Sequence, residues 1–216
     1  MPTISRARAI HAYNDHPQID MSRLGRAFFA HDTLRVAREL LGQRLVRAWA
    51  GQRVSGRIVE TEAYIGQDDA ACHASRGRTA RNAVMFGPAG HAYVYFVYGM
   101  HYCFNIVTEA EGFAAAVLVR ALQPIEGLDI MRRRRQGRDD AGLTNGPAKL
   151  CSALAIDRAL NGTDLVTGDE LWVEDDDPIP DVRVVTGPRI GVRGDERALT
   201  VPWRFWIRGN PYVSRH

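Results

Sequence analysis

The stretch VSGRIVETEAYI, residues 54–65, carries the reading from which the fold follows. It is rich in strand-forming residues, and a second such run, residues 43–50, precedes it across Gly51-Gln52. The two runs are expected to pair as an antiparallel hairpin turning at Gly51-Gln52. Period two along the longer run puts Glu60, Glu62 and Tyr64 on one face and Val59, Thr61 and Ala63 on the other. Strands tolerate glutamate poorly unless the face is wet or the carboxylate has a task. Two readings of this face stand: a solvated outer surface, or a general base beside an aromatic pocket wall.

Working outward, a helix is expected from Asp32-Thr33-Leu34, with Asp32 as N-cap, Gly42 as stop and Leu34, Ala37, Leu40 and Leu41 on one face. Residues 1–22 lack periodicity and read as a loose basic arm, leaving 23–216 as the domain. Downstream, residues 68–85 suggest a short helix and a long loop. A tight hairpin follows at residues 92–98 and 102–108 around Gly99-Met100, then a strand over 113–122 closed by Pro124. Residues 125–136 and 147–156 look helical, and the acidic run 174–177 with Pro178 and Pro180 reads as a solvated loop. Short strands and the aromatic segment Trp203, Phe205, Trp206 end the chain. The expected class is α+β: one domain with a mostly antiparallel sheet and surrounding helices.

The hairpin strands are apolar on both faces, which suits a central, doubly covered position. Its turn region carries Tyr98, Met100 and His101, large residues where hairpin tips usually carry small polar ones. Such a tip suits insertion between stacked bases in a minor groove, or else folds under a neighbouring loop. Asn105 and Arg120 are lone polar groups in apolar strands and need buried partners; Glu62 is a natural one for Arg120. Asn145-Gly146-Pro147 opens a helix near Lys149, either as an ordinary helix start or as a phosphate cradle. The arginine run 132–135 is scattered around a helix axis and reads as a solvated face.

The chain has 216 residues, 45% of them hydrophobic and 25% charged, enough for one self-sufficient core. The longest apolar runs, 92–98 and 113–119, are far too short to span a bilayer. No apolar signal region opens the chain, so a soluble, cytoplasmic protein is expected, nucleoid-associated in a bacterium. Net charge is +3, and Lys149 is the sole lysine among 28 basic side chains. That balance is compatible with a polyanionic partner without demanding one. Cys72, Cys103 and Cys151 form no C-x-x-C pair and are read as buried thiols; no metal and no cofactor are expected.

Read jointly, the strings RIVETEAY (57–64), ACHASRGRTARN (71–82), MFGPAGHAYVYFVYGMHYCFN (85–105), VLVRALQP (117–124) and NGPAKLCSALAI (145–156) closely resemble the alkyladenine, or methylpurine, DNA glycosylases. They occur in that family's order, and the similarity runs from about residue 23 to the C-terminus. The resemblance implies a monofunctional glycosylase that flips damaged purines out of double-stranded DNA and hydrolyses the N-glycosidic bond, leaving an abasic site. It implies Glu62 as the group that activates water, and Tyr64, His73 and Tyr95 as residues that stack on and hydrogen-bond the flipped base. Asn105, Leu118 and Arg120 complete the pocket: Asn105 crowds the guanine 2-amino group and Arg120 supports the nucleotide and the carboxylate. Tyr98 is the implied minor-groove wedge, accompanied by Met100 and His101. Alkylated purines, hypoxanthine and ethenoadenine are the implied substrates.

Arg78, Arg81 and Lys149 are candidates for DNA phosphate. The sole lysine lies in the helix-start motif, so no Schiff-base lyase step is expected. Ala80 stands where the family more often has proline. Cys72 replaces a usual small residue beside His73, which suggests sensitivity to thiol reagents. A monomer without a membrane association is expected. A non-catalytic lesion binder and a glycosidase of free nucleosides are the rival readings, separable by base release and by salt-dependent duplex binding.

Overall fold

The computed structural model describes residues 22–214, so the arm expected over residues 1–22 lies outside it apart from Ser22. Helices α1 (Arg26–Phe29) and α2 (Thr33–Glu39) precede strands β1 (Arg44–Trp49) and β2 (Gln52–Ile65). Strands β3 (Ala92–Val97), β4 (His101–Val107) and β5 (Ala115–Glu126) follow, then α3 (Leu128–Arg134) and α4 (Pro147–Leu154). Strands β6 (Leu171–Glu174) and β7 (Val184–Gly187), helix α5 (Glu196–Thr200) and strand β8 (Arg204–Ile207) complete the order. The fold is α+β, a single domain around one antiparallel sheet of order β3-β4-β5-β2-β1-β6. Beyond the reach of β1, strand β8 takes the same edge of β2 and carries β7 on its far side.

Local chemistry explains the joints. The Asp32 carboxylate accepts the Leu34 and Arg35 N–H groups at 3.0 and 3.1 Å, capping α2 as expected. The helix stops at Leu40, before Gly42, which turns the chain toward β1 at φ +95°. The β1–β2 turn is Ala50-Gly51, one residue earlier than expected, with φ of 49° and 73°. Two left-handed residues make the turn twist with its strands, and this leaves Gln52 free to pair with Trp49.

Alternation assigns the two sheet faces. Val59, Ala63, Phe104, Ile106, Val117 and Val119 face the main core. Helices α2 and α4 pack on the sheet, and the Thr61 hydroxyl on that face donates to the Ala37 carbonyl at 2.7 Å. The opposite face presents Tyr93, Val107 and Ala116 to a smaller cluster with Cys72, Ala74 and Met85. Two compensating register shifts, between Ile58 and Glu60 and between Glu60 and Thr61, restore the pairing, so the alternation read along β2 survives.

Several expectations need correction. The apolar hairpin is not central: β3 is the edge strand of the sheet. The segment around residues 158–164 covers that edge, where Asn161 accepts the Val94 N–H at 2.9 Å and Thr163 the Ala92 N–H at 2.8 Å. Pro124 does not end β5, which runs on to Glu126, because Pro124 meets Gly56 at a register shift where a missing N–H is tolerated. Residues 68–85 hold no α-helix; turns lead to one 3₁₀ turn at Ala83–Phe86. The acidic run is not all solvated: Glu174 ends β6, buried, and accepts from Arg53 and from Trp172 Nε1.

Candidate active site

Five adjacent strands place the chemistry on one sheet face. Tyr93 pairs with Asn105, Asn105 with Leu118, Leu118 with Glu62, and Glu62 with Arg204, forming one cross-strand row. In the next rows Tyr95 lies opposite Cys103 and Tyr64 opposite Ala116. A cavity of about 290 Å³ opens above this face. Tyr64, His73, Tyr93, Tyr95, Asn105 and the wedge candidate Tyr98 line it, with Ala71, Arg81, Met85, Val97 and the loop Gly191, Val192, Arg193. Glu62, Leu118 and Arg120 do not line it; they lie buried beneath.

The carboxylates of β2 are not on a solvated face. Glu60 and Glu62 are fully buried, and Arg120, bulged out of β5, bridges them with Nε 3.2 Å from Glu60 and a terminal nitrogen 3.2 Å from Glu62 Oε1. Glu60 also accepts from Arg204 at 3.2 Å and from the Ser214 N–H at 2.7 Å. The Ile190 N–H donates to Glu62 Oε1 at 2.7 Å, and the Tyr64 hydroxyl donates to Oε2 at 2.8 Å. Burial pushes the Glu62 carboxyl above its ordinary range, against the pull of Arg120, the Ile190 amide and Tyr64. The result is a carboxylate more basic than usual, with three donors and a tyrosine between it and the cavity.

The aromatic wall is equally defined. His73 packs edge-on to Tyr95 at 4.5 Å between centroids, and Tyr95 lies 5.4 Å from Tyr93. The Tyr93 hydroxyl is hydrogen-bonded to His73 Nδ1 at 2.8 Å. Burial, and next the Arg81 charge, lower the His73 pKa, which favours the neutral ring. Asn105 is buried and donates to the Tyr93 carbonyl at 3.1 Å, the partner its position demanded.

At the hairpin tip Tyr98-Gly99-Met100 form the turn, while His101 is the first residue of β4. Tyr98 is 80% and Met100 69% exposed, so the tip is not folded under a loop. Tyr98 adopts φ 54°, which is uncommon for a bulky residue.

Of the phosphate candidates, Arg81 lines the cavity, sits 5.4 Å over Tyr95 and donates to the Phe96 carbonyl, while Arg78 is exposed beside Phe86. Lys149 donates to Asn145 at 2.7 Å, and it borders a separate groove with Met100, His101 and Arg135. Cys72, Cys103 and Cys151 are all buried. Burial pushes the Cys72 thiol up to about 11, which makes it a poor target for thiol reagents, contrary to expectation. Among the described residues, no cluster of His, Cys, Asp and Glu is grouped to hold a metal, and no helix is long and apolar enough to cross a membrane.

Sequence reasoning missed the segment from Arg189 to Arg193, which closes one side of the cavity, and Asp69, which holds Arg189. Neither carries a local signal, since the contacts span more than a hundred residues of chain.

A family model described as Methylpurine-DNA glycosylase (MPG) matches residues 27–211. A protein of Carboxydothermus hydrogenoformans named "Putative 3-methyladenine DNA glycosylase" is 52% identical over 192 residues, covering 89% of this chain and 98% of that protein. Proteins with the same name from Methanocella arvoryzae and Streptomyces avermitilis are 52% and 50% identical, each over 90% of this chain and over 97% and 92% of their own lengths.

Proposed function

The chain belongs to the methylpurine-DNA glycosylase family, and from that premise we propose that Glu62 activates the water that releases a flipped, damaged purine from duplex DNA. The single observation that carries this reading is the Glu62 carboxylate, buried under an aromatic cavity and held by Arg120, Ile190 N–H and Tyr64. A base inside the stack is out of reach, so extrusion must precede chemistry, and damaged or badly paired bases are the easiest to extrude. Tyr98 fills the vacated stack, with Met100 and His101 beside it. The purine enters the cavity against Tyr64, His73 and Tyr95, with Asn105 facing its edge and Leu118 and Arg120 beneath.

The chemical step balances without a covalent enzyme intermediate. The water oxygen bonds to C1′ while the C1′–N9 bond breaks, and the purine leaves with that electron pair. Glu62 takes the water proton, and its negative charge stabilises the oxocarbenium-like sugar. The three donors leave one acceptor site on Oε2 for that water. A cationic alkylated purine is already a good leaving group and is attracted by aromatic faces. Hypoxanthine and ethenoadenine need protonation or hydrogen bonding at N7 as well. No amine attacks C1′, so the enzyme is monofunctional and leaves an abasic site. In this reading one chain acts alone on the duplex.

The test is incubation of the protein, with EDTA, with duplexes carrying one hypoxanthine or ethenoadenine and with methylated genomic DNA. Released base, with strand breaks only after alkali, is expected. Lesion binding without release would replace the enzyme by a lesion binder.

A further inference from the structure

The mechanism above gives no task to the Asp69–Arg189 ion pair, whose side chains are 1% and 0% exposed. The fork is bidentate: Arg189 donates to the two Asp69 oxygens at 2.6 and 2.8 Å. The same terminal nitrogens donate to the Ala63 and Ala198 carbonyls at 2.9 and 3.1 Å, and the guanidinium lies 4.8 Å from the Tyr64 ring centroid and 5.1 Å from that of Trp203. Asp69 also accepts the Ile65 and Ala71 N–H groups at 3.2 and 3.1 Å.

Each partner therefore stands one or two residues from the site. Ile65 follows Tyr64, Ala71 lines the cavity, and Ile190, next to Arg189, donates to Glu62. A buried ion pair is a weak source of net stability compared with apolar residues of the same volume. What apolar residues cannot do is fix two loops at set angles to a carboxylate. We propose that Asp69 and Arg189 are positioning residues that lock the Ile190 N–H onto Glu62 and the Tyr64 ring in place without touching DNA. This rests on the reading of Glu62 as the base.

The groups around Glu62 make the inference testable. Glu60 and Tyr64 face it from β2, Arg120 from β5, Tyr95 from β3, Cys103 from β4 and Arg204 from β8, with Arg189 on the loop before α5. Among the described residues, the Ile190 hydrogen bond and the Arg189 charge both reach Glu62 from the loop before α5, outside the sheet. Losing the Ile190 hydrogen bond removes an influence that favours the carboxylate, while the Arg189 and Asp69 charges act in opposite directions, so the Glu62 pKa should rise.

The experiment compares the full chain with the double variant Asp69→Asn/Arg189→Met, which orphans no charge, and with Arg189→Lys. The Glu62 side-chain carboxyl is titrated by NMR, and single-turnover base release and lesion-duplex affinity are measured alongside. The double variant is expected to show an upward-shifted Glu62 pKa, release slowed by about 10²-fold and unchanged affinity. Arg189→Lys, which keeps the charge but not the fork, should shift the pKa part of the way, and it carries the test alone if the double variant does not fold. A folded variant of either kind with an unmoved Glu62 pKa overturns the proposal, whatever its Tm. If the unmodified protein releases no base, the functional reading falls, while the titration still decides the positioning role.

Discussion

Glu62 shows how a single residue combines burial with reactivity. Its carboxyl is pushed up by desolvation more than Arg120, Ile190 and Tyr64 pull it down. A raised acid pKa means that folding favours the neutral form. Ionised Glu62 therefore detracts from stability increasingly as pH climbs from the unfolded value near 4.5 through the folded one. Glu62→Gln is expected to lower base release by about 10²–10⁴-fold while preserving lesion-duplex affinity. The difference in Tm between this variant and the wild type should shift in the variant's favour as pH rises through and above the ordinary carboxylate range. Equal turnover by Glu62→Gln removes this residue as the base. The acid limb of wild-type release should lie above the ordinary carboxylate range, and a rate flat through that limb would contradict the assignment. At this scale Asn105 and Arg120 were legible, because a polar group in an apolar strand must find a partner. Ile190 was not, because a backbone N–H carries no residue-specific signal and this one lies 128 positions from Glu62.

In the proposed reading, the hairpin of β3 and β4 is the element that carries recognition. Phe96 and Tyr102 pair across it at 5.1 Å between ring centroids, stiffening a tip whose large residues have no partner surface in the free protein. Tyr98→Ala should leave Tm within a degree or so, since an exposed side chain contributes little. It should lower lesion-duplex affinity by about tenfold, the scale of one base–aromatic stack. Unchanged affinity in a titration with lesion-bearing duplex sinks the wedge. The joint after α2 behaves oppositely. A Cβ at Gly42 would lie 2.1 Å from the Asp177 carbonyl oxygen, at φ +95°. Gly42→Ala is therefore expected to destabilise the fold by more than about 2 kcal/mol in denaturant unfolding, without changing the site. The hairpin's existence was readable from its strands. Its edge position was not, because side-chain alternation does not tell whether a strand's outer N–H and C=O groups meet another strand or the segment 158–164.

Across the whole molecule, the sheet gathers residues from β2, β3, β4, β5 and β8 onto one face and leaves the cavity mouth with Arg81 and Arg193. The logarithm of duplex affinity should fall linearly with log salt, with a slope of roughly 0.9 per phosphate contacted, for damaged and intact DNA alike. Single-turnover release at saturating protein should stay nearly constant over the same range, because the reacting groups are sealed from solvent ions. A salt-independent affinity would exclude the phosphate contacts. The sequence by itself determined the α+β class, the period-two faces of β2 and the cap at Asp32, because each is written in local spacing, while the candidate site groups came from its resemblance to the methylpurine-DNA glycosylases. Only the tertiary structure decided which strand is at the edge, that Glu60 and Glu62 share Arg120, and that Asp69 and Arg189 tie two distant loops beside Glu62. Those facts depend on contacts between segments far apart in the chain, where burial and register, rather than neighbouring residues, select the partner.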